Sequence, residues 1–209
     1  MRPHVLSRTE RPILGKLHLI LPAALLVLGL SLAACGGGGE SDEDKVASTI
    51  ETAATSTDPA VCNETQTLNF MEQTTAATGK EAEKECEEKA ESGEGNPESV
   101  NVSEVEVEGE KATASAEFEG GNFDGQTLAL ALVEEEGEWK LDELTGFVKF
   151  DQAKLVETFA EQLEKEASIE PRVTSCILEG LEELPQKEME ELVIDNNSQP
   201  IVELAESCE

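Results

Sequence analysis

Between Val100 and Phe150 the apolar residues recur mostly at every second position, and on both sides of that stretch they recur every three or four. A period of two belongs to a strand with one buried face, and a period near 3.6 to a helix. The chain is therefore constrained to place helices, then a sheet, then helices. Val100 and Val102, then Val105 and Val107, alternate with a one-residue slip at Ser103–Glu104, which predicts a β-bulge. Ala112, Ala114, Ala116 and Phe118 form a second strand, and Leu128, Leu130 and Leu132 a third. Trp139 and Leu141 lead a fourth, which Leu144, Phe147, Val148 and Phe150 finish after a break at Gly146. Ala129, Ala131 and Val133 make the third strand apolar on its other side as well, which predicts cover on both faces. The connections at 108–110, 120–125 and 135–137 are short and carry glycine, as antiparallel neighbours require. The fold class that follows is α+β: N-terminal helices, a curved antiparallel four-strand meander, then a small helical C-terminal unit.

The first helix begins near Asp42 and puts Val46, Ile50, Ala53 and Ala54 on one face. Asp58 as cap with Pro59 at the first helical position opens a short second helix carrying Cys62. Leu68, Phe70 and Met71 occupy a stretch up to Gly79. Residues 80–91 form a charged helix whose inward group is Cys86, and 92–98 form a loop. After the sheet, Asp151 caps a helix with Leu155, Val156, Phe159 and Leu163 inward. Glu170-Pro171 opens the next, with Val173, Cys176 and Ile177. Pro185 opens a short one, and Asn196-Asn197-Ser198 precedes the last, which ends in Cys208.

The first 34 residues stand apart from this pattern. Arg2, Arg8, Arg11 and Lys16 face one acid, Glu10, and residues 17–34 are almost wholly apolar. A basic start, an apolar middle and small residues at the end describe a secretory signal. The apolar run is also long enough to span a bilayer, so an uncleaved membrane anchor is the competing reading. Leu32-Ala33-Ala34-Cys35 resembles the lipobox of bacterial lipoproteins. The resemblance implies that Leu32, Ala33 and Ala34 are read by the signal peptidase and that the Cys35 thiol receives a diacylglycerol. It also implies further acylation, as with palmitate, at the new amino terminus. Several acyl chains attach a protein stably where one is marginal. The localisation implied is the extracytoplasmic face of a bacterial cell envelope, with the membrane engaged through the lipid on Cys35. Domain organisation then reads as a signal peptide (1–34), a flexible glycine and acidic tether (35–44), an α+β domain (45–150) and a helical unit (151–209).

Removal of the signal leaves about 175 residues with a net charge near −34, since it takes four of the 15 basic residues and one of the 46 acidic ones. Such a charge repels nucleic acid and anionic lipid, which need neutralising cations. Both histidines, His4 and His18, go with the signal. The remainder has no His, no Tyr, one Arg (Arg172) and one Trp (Trp139). Histidine triads and histidine metal ligands are excluded, and so is phosphate clamping by several arginines. Carboxylate chemistry and oxygen-ligand cation sites survive that filter.

Apart from Cys35 there are four cysteines: Cys62, Cys86, Cys176 and Cys208. An even number in an exported chain reads as two disulfides. Three pairings are open. Cys62–Cys86 with Cys176–Cys208 is preferred, because each closes a local loop within one predicted unit. No C-x-x-C pair points to a metal.

Helices followed by a four-strand meander, ending in GEWKLDEL at residues 137–144, resemble the nuclear-transport-factor-2-like (cystatin-like cone) fold over about residues 45–150. Lipid-anchored bacterial proteins of that fold often carry an early cysteine pair such as Cys62 and Cys86. The resemblance implies a curved sheet wrapped round a helix, with a cone mouth that holds a ligand, a catalytic Asp–His or Tyr–Asp set, or nothing. With His and Tyr absent after the signal, the expectation is a non-enzymatic protein without catalytic residues, metal or cofactor. It would bind an unidentified protein or small molecule and no nucleic acid. Trp139 is the candidate ligand contact, although its alternation with Leu141 also fits a sheet-core role. The alternatives are a carboxylate-dependent enzyme in the cone and weak cation binding at the cell surface. Asn122-Phe123-Asp124-Gly125 imitates part of a calcium loop, but Gly120 and Ala131 stand where the essential acidic ligands belong, so it reads as a turn.

Overall fold

The computed structural model of the protein describes residues 40–165, 170–195 and 197–208. Leu32, Ala33, Ala34 and Cys35 lie outside them. The first helix, α1 (Asp42–Thr55), starts at a capping box. The Ser41 hydroxyl accepts from the Asp44 amide at 3.2 Å, and the Asp44 carboxylate accepts from the Ser41 amide at 3.3 Å. Asp42, Glu43 and Asp44 in the first turn suit the positive end of the helix dipole. Val46 and Ile50 are buried against the sheet.

Three more helices precede the sheet: α2 (Val61–Thr65), α3 (Leu68–Thr75) and α4 (Lys80–Ser92). The second starts later than the Asp58-Pro59 pair predicts. Asp58 makes a turn instead: its carboxylate accepts from the Ala60 amide at 3.0 Å and its carbonyl from the Val61 amide at 3.0 Å. An aspartate that reaches two residues ahead closes a local turn and leaves the helix to begin after it.

The sheet is an antiparallel meander in the order β1 (Ser99–Glu108), β2 (Lys111–Glu119), β3 (Thr127–Glu135), β4 (Glu138–Lys149). One face carries Ala112, Ala114, Ala116, Leu128, Leu130 and Leu132, paired across the ladder as Ala112–Leu132, Ala114–Leu130 and Ala116–Leu128. The slip in β1 is a bulge between Ser103 and Glu106, with Glu104 at φ 52°. No break occurs at Gly146. The register against β3 shifts three times, so that twelve residues of β4 run beside nine of β3. Extra residues bend and twist a strand without ending it. This explains why the apolar side chains of β4 fall at 139, 141, 144 and 147.

Among the described residues β3 is fully covered on one face only. Ala129, Ala131 and Val133 are half-buried; Thr113, Glu143 and Lys140 beside Ala131 and Val133 are polar and at least partly exposed, whereas Ser115 beside Ala129 is buried, its hydroxyl donating to Glu104 at 2.8 Å. Alanine is short enough to stand on a solvated face beside such neighbours, so alternating alanines do not demand a second layer.

The free edge of β4 is occupied by α3 and the residue before it. The Thr67 amide donates to the Leu141 carbonyl at 2.8 Å and the Asn69 side-chain amide to the Asp142 carbonyl at 2.7 Å. Gln73 pairs with Leu144 in both directions, at 2.8 Å each. One backbone amide and two side chains thus stand in for a fifth strand and block edge-to-edge pairing.

After the sheet come α5 (Gln152–Lys165), α6 (Pro171–Glu183), α7 (Gln186–Ile194) and α8 (Gln199–Cys208). They bury Leu155, Val156, Ile177, Leu181, Met189 and Leu192 around one core. Disulfides join Cys62 to Cys86 and Cys176 to Cys208, closing separations of 24 and 32 residues. Loops of that length give about 3.5 kcal/mol each through the unfolded chain. Among the described residues no helix is long and apolar enough to cross a membrane.

Candidate functional site: an apolar cavity under the first helix

A cavity of about 240 Å³ lies between α1, α4 and the leucine face of the sheet. Its origin is in the side chains that face one another there. The second half of α1 presents Ala53 and Ala54, and α4 presents Ala90, where larger residues would have met Leu128, Leu130 and Leu144. Protein interiors otherwise pack to crystal density, and small side chains on both walls leave the space unfilled. The Cys62–Cys86 disulfide forms part of the wall, and Ile50 and Phe118 part of the floor.

The mouth is polar. It is formed by the loop after α4, with Glu94, Gly95, Asn96 and Pro97, together with Thr74 and Lys89. That loop packs against the β2–β3 connection, where the Asn122 amide donates to the Gly95 carbonyl at 3.0 Å. Gly121 is required there: at φ 68° it leaves the Gly95 carbonyl oxygen 2.4 Å from where a Cβ would sit. The Lys89 ammonium donates to the Thr74 carbonyl at 3.4 Å, across the same mouth. Glu94 contributes a carboxylate to the lining.

A second cavity, of about 330 Å³, lies on the other side of the same connection and is walled by Leu155, Phe159, Leu192 and Val193. Asn122 and Phe123 line both spaces.

Trp139 is placed elsewhere. It is 4 % exposed, in the core with Val46 and Ile50, and it does not line the first cavity. The Thr49 hydroxyl donates to its carbonyl at 3.4 Å. With Lys45, Glu64 and Glu138 it borders a polar surface depression.

The Asn122–Gly125 segment is a turn containing a 3₁₀ helix (Gly121–Phe123). The Asp124 carboxylate accepts from the Gly120 amide at 2.7 Å and from the Lys154 ammonium at 2.9 Å. These two bonds, the backbone one first, hold its carboxyl below the ordinary aspartate value, and the hydrogen bond to Asp124, with its charge, raises Lys154. Among the described residues no three acidic or cysteine side chains are gathered to hold a metal ion.

The resemblance to the cone fold implied a mouth, with Trp139 as its contact, but not which side chains wall this cavity. The signal was there in Ala53, Ala54 and Ala90, but alanine on an inward helical face reads equally as close packing.

No protein-family model, curated protein or solved structure matches the chain.

Proposed function

We propose that the chain is a lipid-anchored protein of the extracytoplasmic face of a bacterial envelope, and that its cavity binds a small apolar ligand without transforming it. The observation that carries the ligand reading is the 240 Å³ space with an apolar floor and a polar mouth. Apolar cavities of about 150 Å³ take benzene, so this one has room for a somewhat larger molecule. A few polar groups at the rim of an apolar pocket are the usual means of orienting one. Support for the anchor is the Leu32-Ala33-Ala34-Cys35 pattern behind an apolar run. Helices before a four-strand antiparallel meander, with the Cys62–Cys86 bridge early in the chain, support kinship with the nuclear-transport-factor-2-like cone. In that fold the cone mouth can hold a ligand, a catalytic set or nothing, and a cavity at the helix-covered face of the sheet fits the first of these.

Ligand-observed NMR with hexanol tests the binding reading. The wild type should bind saturably, and Ala54→Leu, which fills the space, should bind at least tenfold more weakly. Absence of saturable binding to the wild type would refute the proposal. For the anchor, Cys35→Ala should lose metabolic palmitate label and membrane association. Unchanged labelling of that variant would contradict it.

A further inference from the structure

We infer that the site takes a single unbranched alkyl chain with an uncharged polar head, and that Phe123 is the door between a first chamber holding the head end and a second holding the tail. The inference rests on the ligand reading above and names its ligand class.

The two cavities share part of their walls. Thr74, Asn122, Phe123 and Leu144 belong to the linings of both. Two of these are held by their elements: Thr74 is in α3 with its hydroxyl bonded to the Phe70 carbonyl at 2.9 Å, and Leu144 is buried in β4. Asn122 is exposed, and its side chain accepts from Gln162 of α5 at 2.9 Å. Phe123 differs. It is half-buried, its ring meets Phe118 at 5.8 Å between centroids, and its turn is flanked by Gly120, Gly121 and Gly125, all at positive φ. The ring packs against the main core without being fully buried, so a rotamer change would open the shared wall without unfolding the turn. Displacing that one ring joins the spaces.

Size and polarity then select the ligand. At the room a benzene-sized cavity gives each carbon, the first chamber holds about ten carbons and the two together about twice that. A narrow passage one side chain wide admits an unbranched chain and excludes a fused ring. The first mouth offers Lys89, Asn96 and Glu94, of both signs, on a body of strongly negative charge. An uncharged head that donates and accepts hydrogen bonds suits it better than a carboxylate or phosphate.

The test is chain-length dependence, with n-alkanols from hexanol to dodecanol as probes of the full-length protein. Burial of each methylene is expected to tighten binding about three- to fourfold. The gain should continue from decanol to dodecanol, about tenfold in all. Thr158→Trp fills the second chamber from α5, and Ser198→Trp does so independently from the residue before α8. Each should leave hexanol affinity unchanged and abolish the gain beyond ten carbons. A wild-type plateau at about decanol would overturn the two-chamber site while leaving ligand binding intact. A continuing gain that neither tryptophan affects would also overturn it. Failure of hexanol to bind would remove both this inference and the ligand reading.

Discussion

Two glutamines act as pieces of backbone. Gln126 is fully buried, and its amide both donates to the Asp151 carbonyl and accepts from the Asp151 amide, at 2.8 Å each. It ties the start of β3 to the start of α5. Gln73 does the same for Leu144 at the sheet edge. Gln126→Ala leaves a donor and an acceptor of Asp151 without partners, so it should cost about 2–3 kcal/mol in urea unfolding. A loss under 1 kcal/mol would show that water replaces the amide. Neither role was legible beforehand, because a lone glutamine beside a turn has no pattern that distinguishes it from a solvated one. Asp124 is a second residue with a checkable consequence. Its folded pKa is depressed, so its contribution is present above the ordinary aspartate value and is lost as pH falls through the lower folded value. An NMR titration of the Asp124 carboxyl should give a midpoint below that of a model aspartate, and Lys154→Ala should move it back up.

At the scale of elements, α4 is the segment whose place depends most on a covalent link. Its buried residues are Ala82, Cys86 and Ala90, which bring little apolar area, and the rest of KEAEKECEEKAES is mostly charged. Cys62→Ala with Cys86→Ala should lower stability by about 3 kcal/mol. Amide exchange should accelerate along residues 80–92 before it does in α6 or β3. Equal acceleration everywhere would mean that the bridge acts only on the unfolded chain. Much of the element level was legible. The helix–sheet–helix order and the bulge in β1 follow from apolar spacing alone. In β4 the spacing misled: steps of three from Leu141 to Leu144 to Phe147 suggested a break at Gly146, whereas each step contains a bulged residue. Asp142, one such extra residue, accepts from the Thr67 hydroxyl at 2.8 Å through its carboxylate, so α3 secures a bulge. That partner is 75 residues away, beyond the reach of any local pattern.

Over the whole molecule, an acidic chain with six phenylalanines and one tryptophan keeps an unfilled space beside its main core. A chain selected for stability alone would fill it. Ala54→Leu should therefore raise stability by about 1–2 kcal/mol through added burial, while weakening ligand binding. A destabilised Ala54→Leu would show that the space is narrower than its lining implies. The lining of the cavity was not legible in the sequence because it depends on which small residues face one another, and facing is decided by tertiary packing. The most direct test of the account is a ¹³C-methyl NMR titration of the purified protein with hexanol. Saturable shifts centred on Ile50, Leu128, Leu130 and Leu144, with Leu181 and Met189 unmoved, are the predicted result. Shifts spread evenly over all methyls, or none up to the solubility limit, would contradict binding in this cavity.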